Sequence, residues 1–214
     1  MADARDLLAA ARRAIPADAE RLTHTFGAAF AQDPTWKWAI GGSAPENLQA
    51  AAKFWRLLID GALAHNWVWL LPGAAALTLW LPPGAAELLP EAEETFDDFL
   101  LETFVHTADR VNEIFNRFET ARPHDAEHFY LSVLATDPAH RGHGLGMGLL
   151  AQNLQLLDEI GLPTYLESTN PANLHRYGAL GFEVRDELHL AGGGPTVTTM
   201  WRPVGEGTQQ QSRI

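Results

Sequence analysis

Apolar positions recur at helical spacing through the N-terminal half of the chain, and crowd into strand-length runs at Trp67–Leu81 and again beyond Glu127. Met1–Arg13, rich in alanine, predicts a short helix. Pro16-Ala17-Asp18 offers a second helix start, and Leu22, Phe26, Ala29 and Phe30 follow on one stripe until Asp33-Pro34 ends it. From Glu46 to about Ala64 the stripe repeats with Leu48, Ala52, Trp55, Ile59 and Leu63. Trp67–Leu71 and Ala75–Leu81, parted by Pro72-Gly73, predict two neighbouring buried strands. Pro90 or Glu91 opens a long helix carrying Phe96, Phe99, Leu100, Phe104, Val111, Ile114 or Phe115, and Phe118, with one break expected along it. A strand at Glu127–Ala135, a helix at Leu145–Ile160, a strand at Thr164–Glu167 and a short helix at Asn173–Leu180 come next. Strands at Glu183–Leu190 and Thr196–Arg202, joined through Gly192-Gly193-Gly194, complete the pattern. This element order predicts an α/β fold, a mixed central sheet flanked by helices. No repeat and no linker divides it: residues 1–17 are expected to be a helical extension, 18–203 one domain and 204–214 a frayed polar tail.

Composition narrows the function classes. The chain has 214 residues, long enough for a core without staples, and no cysteine, which excludes disulfides, thiolate-bound metals and a thiol nucleophile. Its formal net charge of −12 argues against a nucleic-acid partner, since that affinity comes from Lys and Arg on phosphates. The N-terminus lacks an apolar stretch of signal-peptide type. The uncharged run His65–Ala86 is cut by Pro72-Gly73 and Pro82-Pro83-Gly84 into strand-length pieces, so no membrane span is expected and the cytoplasm is the expected location. No metal is expected: His124-Asp-Ala-Glu-His128 has an inverted zinc-motif spacing but lacks the helix that the motif requires. The run Glu87–Glu102, seven acids and no base, reads as the solvated face of the long helix.

Charge is uneven in an informative way. Twenty consecutive residues, Pro138–Leu157, hold no acid, and they contain Arg141, Gly142, His143, Gly144, Leu145 and Gly146 at a strand-to-helix turn. Glycines there let backbone amides approach a ligand, and a helix N-terminus favours anions. A phosphate cradle and a plain tight turn both fit this segment taken alone. The spacing matches neither a P-loop, which needs a Gly-Lys pair, nor a dinucleotide fingerprint at the helix start.

Arg141-Gly-His-Gly-Leu-Gly146 resembles the Arg/Gln-x-x-Gly-x-Gly/Ala signature of the GNAT superfamily of N-acetyltransferases. Asn170, Tyr177, Leu180, Gly181 and Phe182 resemble its second signature, in the right order and about thirty residues downstream. Ala28–Pro34, Trp67-Val-Trp69, Ala75–Trp80, His128–Leu131, Leu166-Glu167-Ser168 and Pro171–Leu174 are similar to the puromycin N-acetyltransferase-like branch. That branch usually begins with a strand, where Met1–Arg13 predicts helix.

The resemblance implies a single GNAT-like domain whose strands at Glu127–Ala135 and Thr164–Glu167 splay apart to take acetyl-CoA. It implies backbone pairing of Leu134 and Thr136 with the pantetheine arm, Arg141–Gly146 on the pyrophosphate, and coenzyme contacts from Asn170 and Asn173. Tyr177 falls at the general-acid position; a core tyrosine is its other reading. Glu167 resembles the branch's glutamate beside the gap, either a general base or a strand-end charge. Asp33, Trp36 and Trp80 are candidates for the acceptor site, although aromatics serve equally as core. The implied reaction is direct acetyl transfer to a primary amine of a small molecule, an aminonucleoside among the candidates. A protein or peptide acceptor, or a non-catalytic acyl-CoA-binding module, are the alternatives, and a homodimer is left open.

Overall fold

The computed structural model describes residues 3–205. The expected tail at 204–214 lies almost wholly outside them. Helices α1 (Ala4–Ala9), α2 (Ala19–Phe30), α3 (Pro34–Ala39), α4 (Pro45–Ala64), α5 (Pro90–Glu93), α6 (Phe96–Thr103), α7 (Ala108–Ala121), α8 (Leu145–Ile160) and α9 (Leu174–Gly178) surround one sheet. Its strands are β1 (Arg12–Arg13), β2 (Val68–Leu70), β3 (Ala76–Leu81), β4 (Phe129–Thr136), β5 (Thr164–Ser168), β6 (Glu183–His189) and β7 (Thr196–Arg202), in the order β1-β2-β3-β4-β5-β7-β6. All neighbours are antiparallel except β4 and β5, so the sheet is mixed, as expected.

Both faces are covered. Every residue of β3 is buried, which accounts for its unbroken apolar run. Leu77, Leu79 and Leu81 meet the helices α2, α4 and α7, whereas Trp80 joins Leu150, Leu154 and Leu157 of α8 on the other face. Buried Asn153 of α8 accepts hydrogen bonds from Thr78 Oγ1 (2.6 Å) and Trp80 Nε1 (3.0 Å), so its one polar group in the apolar layer is paired and fastens α8 to β3.

Three local features depart from the expectations. The N-terminal helix stops at Ala9, and Arg12–Arg13 pairs with Leu70 and Trp69 as a short edge strand, so the first residues are not wholly a helical extension. Two arginines show no alternation to read; the guanidinium of Arg13 lies over the Trp67 and Trp69 rings at 4.8 and 5.3 Å instead. Asp33-Pro34 ends α2 and also begins α3, because Asp is a good N-cap and Pro suits the first helical position. The expected long helix is three helices, interrupted at Thr95 and around Val105–Thr107, where β-branched residues weaken helix propensity.

Candidate active site

β4 and β5 pair only at Phe129↔Thr164 and Tyr130↔Tyr165, then part. On its other side β4 shifts register against β3: Leu79 faces Val133 but Trp80 faces Leu131, leaving Ser132 as a bulge residue. The gap opens into a cavity of ≈ 560 Å³ between the start of α8, the ends of β4 and β5, and helices α2, α3 and α7.

One end of the cavity is built from backbone. Gly142 (φ 82°) and Gly144 (φ 71°) adopt the left-handed conformation that favours glycine, and Gly144 caps α8 with no side-chain hydrogen bond. The first turn of α8 carries no acid, so its free amides face the cavity mouth with the positive end of the helix dipole. At Gly146 the reason for glycine is different: a Cβ there would overlap Thr136 Oγ1 on β4. Arg141 donates from Nη2 to the Ala29 carbonyl at 2.6 Å, tying the loop to the last turn of α2.

The opposite end carries carboxyls. Glu167, on β5 just past the point of splaying, lines the cavity and has its Oε1 buried without a hydrogen-bond partner. Burial raises its pKa to about 8; the hydroxyls of Tyr130 and Tyr165 and the charge of Arg122 oppose that rise, and Glu87 adds to it. A carboxyl of this kind exchanges its proton near neutral pH. Glu87 also lines the cavity, accepts a hydrogen bond from Ser132 Oγ, and lies 3.6 Å from Arg122. Burial raises the Glu87 pKa, against the pull of Arg122. Tyr130, the last paired residue of β4, reaches the same wall, and burial keeps its hydroxyl protonated.

The same cavity is lined by Tyr177 of α9, 9% exposed, its ring edge-on to Phe182. Burial, then the charge of Asp33, raises its pKa above the ordinary tyrosine value, so the phenol keeps its proton. Phe26, Phe30, Trp36, Phe115 and Phe118 make an aromatic wall beside the carboxyls. Asp33 is committed to structure: one oxygen accepts from the amides of Thr35 and Trp36, the other from Thr169 Oγ1 at 2.8 Å. Thr35 Oγ1 donates in turn to the Thr169 carbonyl, so Asp33 latches α3 to the end of β5.

The family model of the acetyltransferase (GNAT) family matches residues 87–182, which run from Glu87 through the glycine loop to Phe182. Over these residues the chain matches the GNAT acetyltransferase family, and its mixed sheet has the GNAT fold. The structure of histone acetyltransferase HPA2 and related acetyltransferase from Corynebacterium glutamicum is similar to it, at TM-score 0.62 and 24% identity over 92% of this chain and 97% of that one. Arylalkylamine N-acetyltransferase 2 from Aedes aegypti gives TM-score 0.57 at 15% identity, covering 91% and 98%. The polyamine N-acetyltransferase of Drosophila melanogaster, which forms N-acetylagmatine, gives 0.56 at 20%, covering 89% and 97%.

GNAT enzymes use acetyl-CoA, and the cradle fits an anionic pyrophosphate: two left-handed glycines, an uncapped helix start and no acid in its first turn. Of the residues singled out in the sequence, Leu134, Thr136, Arg141, Gly142, Gly144, Leu145, Gly146, Asn170, Asn173, Tyr177, Glu167, Asp33 and Trp36 line the one cavity. His143 is exposed beside it, with Nδ1 3.4 Å from the His140 carbonyl. Trp80 is not brought there; it is fully buried under α8. The side-chain oxygens of Asn170 and Asn173 hold the Ala172 amide and Arg176, shaping the turn before α9. Sequence reasoning missed Glu87, Tyr130, Ser132 and Arg122. Glu87 was read as part of a solvated acidic face, whereas it precedes α5 and turns inward; its place directly after the strand-turn run His65–Ala86 was the available signal. Among the described residues no three His, Cys, Asp or Glu side chains are grouped to hold a metal, and no helix is long and apolar enough to cross a membrane.

Proposed function

We propose that the protein transfers an acetyl group from acetyl-CoA directly to the primary amine of a small molecule. One observation carries this reading: a single cavity is lined by the acid-free amide cradle, a buried carboxyl whose pKa is raised to about 8 and a protonated tyrosine. Acetyl-CoA supplies the acetyl group as an activated thioester. An alkyl ammonium, with a pKa near ~10, must lose a proton before its nitrogen can attack. Glu167, on the cavity wall, takes that proton. Tyr177 donates its phenolic proton to the departing sulfur and regains one from the nitrogen as the amide forms. The Arg141–Gly146 amides and Leu134 and Thr136 hold the coenzyme, and Asn170 and Asn173 shape the turn beside it.

The aromatic wall and the carboxyls together suit an amine with an apolar body and a cationic head. Arylalkylamines and agmatine, named for the Aedes and Drosophila proteins, belong in the first panel, and the likeness to the puromycin branch adds aminonucleosides. Purified protein is expected to bind acetyl-CoA and release free coenzyme A with at least one such amine, followed with a thiol reagent. The absence of cysteine in the chain keeps that assay clean. Acetyl-CoA binding with no release across amines and peptides would replace the enzyme by a binding module; release with peptides alone would move the acceptor to proteins.

Gly146→Ala tests the cradle. Its Cβ must push α8 from β4 or turn Thr136 aside, at roughly 1–3 kcal/mol of overpacking. Acetyl-CoA affinity, measured by calorimetry, is expected to fall about tenfold or more. Unchanged affinity would place the pyrophosphate elsewhere.

A further inference from the structure

We infer that Arg122 is a positioning residue of the acetyl-transfer site, serving from behind Tyr130 as the counter-charge that leaves Glu167 free to act as the base. The inference rests on Glu167 being that base.

Arg122 stands where α7 ends and the chain turns towards β4. Its side chain is 16% exposed, and its guanidinium covers the Tyr130 ring at 4.3 Å. Nη2 lies 3.6 Å from Glu87 Oε2, Nη1 lies 3.2 Å from Glu119 Oε2, and Nε is buried without a partner. Arg122 is absent from the cavity wall, while its neighbours Tyr130 and Glu87 are on that wall together with Glu167.

The groups acting on Glu167 are Tyr130 from β4, Tyr165 from β5, Glu87 from the segment after β3, and Arg122; Arg122 is the one cation among them. Two carboxyls facing one poorly solvated cavity cannot both ionise readily unless a cation offsets them. Arg122 is paired directly with Glu87, not with Glu167. Glu87 is thereby the partner that stays with the arginine, and Glu167, under only the more distant charge, is the one that gains and loses a proton. A planar guanidinium can lie flat on Tyr130 and reach two carboxylates at once, which a lysine cannot reproduce fully.

The test is the pH dependence of kcat/KM for coenzyme A release in Arg122→Gln and Arg122→Lys, each first shown to bind acetyl-CoA. Arg122→Gln is expected to move the rise of activity up by roughly one pH unit. Turnover at pH 7 then falls roughly tenfold and the gap closes towards pH 10. Arg122→Lys, keeping the charge, is expected to hold the rise near its original pH. Glu87→Gln removes the competing carboxylate and is expected to move the rise down, an opposite sign that does not depend on Arg122→Gln folding well. A readout without turnover is the difference in Tm between Arg122→Gln and the Arg122→Gln/Glu167→Gln pair. It should level off at a higher pH than the difference between the native chain and Glu167→Gln. A uniform loss at every pH, or the same displaced rise in Arg122→Lys and Arg122→Gln, would overturn the inference in favour of a packing role. Normal turnover in Glu167→Gln would instead remove the base assignment and this inference with it.

Discussion

Glu167→Gln is expected to lower kcat/KM by about 10²–10⁴-fold and to flatten the rise of activity with pH. As the proposed base Glu167 must be ionised, and its pKa is raised to about 8 by burial, so activity should climb through that pH. Glutamine keeps the shape of the side chain and cannot take the proton. The same substitution has a stability signature of opposite sense. A carboxyl raised from 4.5 to about 8 on folding binds more protons in the native than in the unfolded state between those limits. Its contribution is therefore fully present below about pH 4.5 and is lost as pH rises towards about 8. Glutamine carries no such penalty, so the Tm of Glu167→Gln should gain on that of the native chain from pH 5 to pH 9 and stay level beyond. A variant that loses activity while this gain appears has lost the base and kept its fold. Native-like turnover across the pH range would assign proton removal to another group, with Glu87 a second raised carboxyl on the same wall.

What was legible in the sequence follows from how each feature is built. The glycine loop and the Tyr177 segment are local: turn, helix start and side chain lie within a few residues, so their spacing survives as a motif. Glu167 is legible only as a strand-end carboxylate with two readings, because its pKa depends on burial and on Tyr130 and Arg122, which are remote in the chain. Glu87 failed for the same reason. Six acids follow it on exposed helix, and only the fold of the segment after β3 turns the first one inward. Trp80 shows the reverse error. Named as an acceptor-site candidate, it is sent by alternation along β3 to the α8 face, where Asn153 accepts a hydrogen bond from its indole N–H. Asp33, a candidate for the acceptor site, lines the cavity, but its oxygens are spent on the α3 amides and Thr169. A sequence shows that an Asp precedes a Pro; it does not show whether the carboxylate caps a helix or faces a ligand.

Tyr177→Phe is expected to lower kcat about 10²-fold or more while leaving acetyl-CoA affinity nearly unchanged. The ring stays, so its edge-on contact with Phe182 at 5.9 Å and its place under α8 are preserved, and Tm should shift little. Only the hydroxyl, the proposed proton donor to the departing sulfur, is removed. Burial and the neighbouring Asp33 hold the phenol protonated well past neutral pH, so Tyr177 does not titrate where Glu167 does. The two variants should therefore differ in the form of the pH profile as well as its height. Without Tyr177 the curve is scaled down and still rises near pH 8, since Glu167 is untouched. Without Glu167 the rise itself disappears. Near-normal turnover in a Tyr177→Phe variant that binds acetyl-CoA would return Tyr177 to the core and leave thiolate protonation to water, with the cradle and the base unaffected.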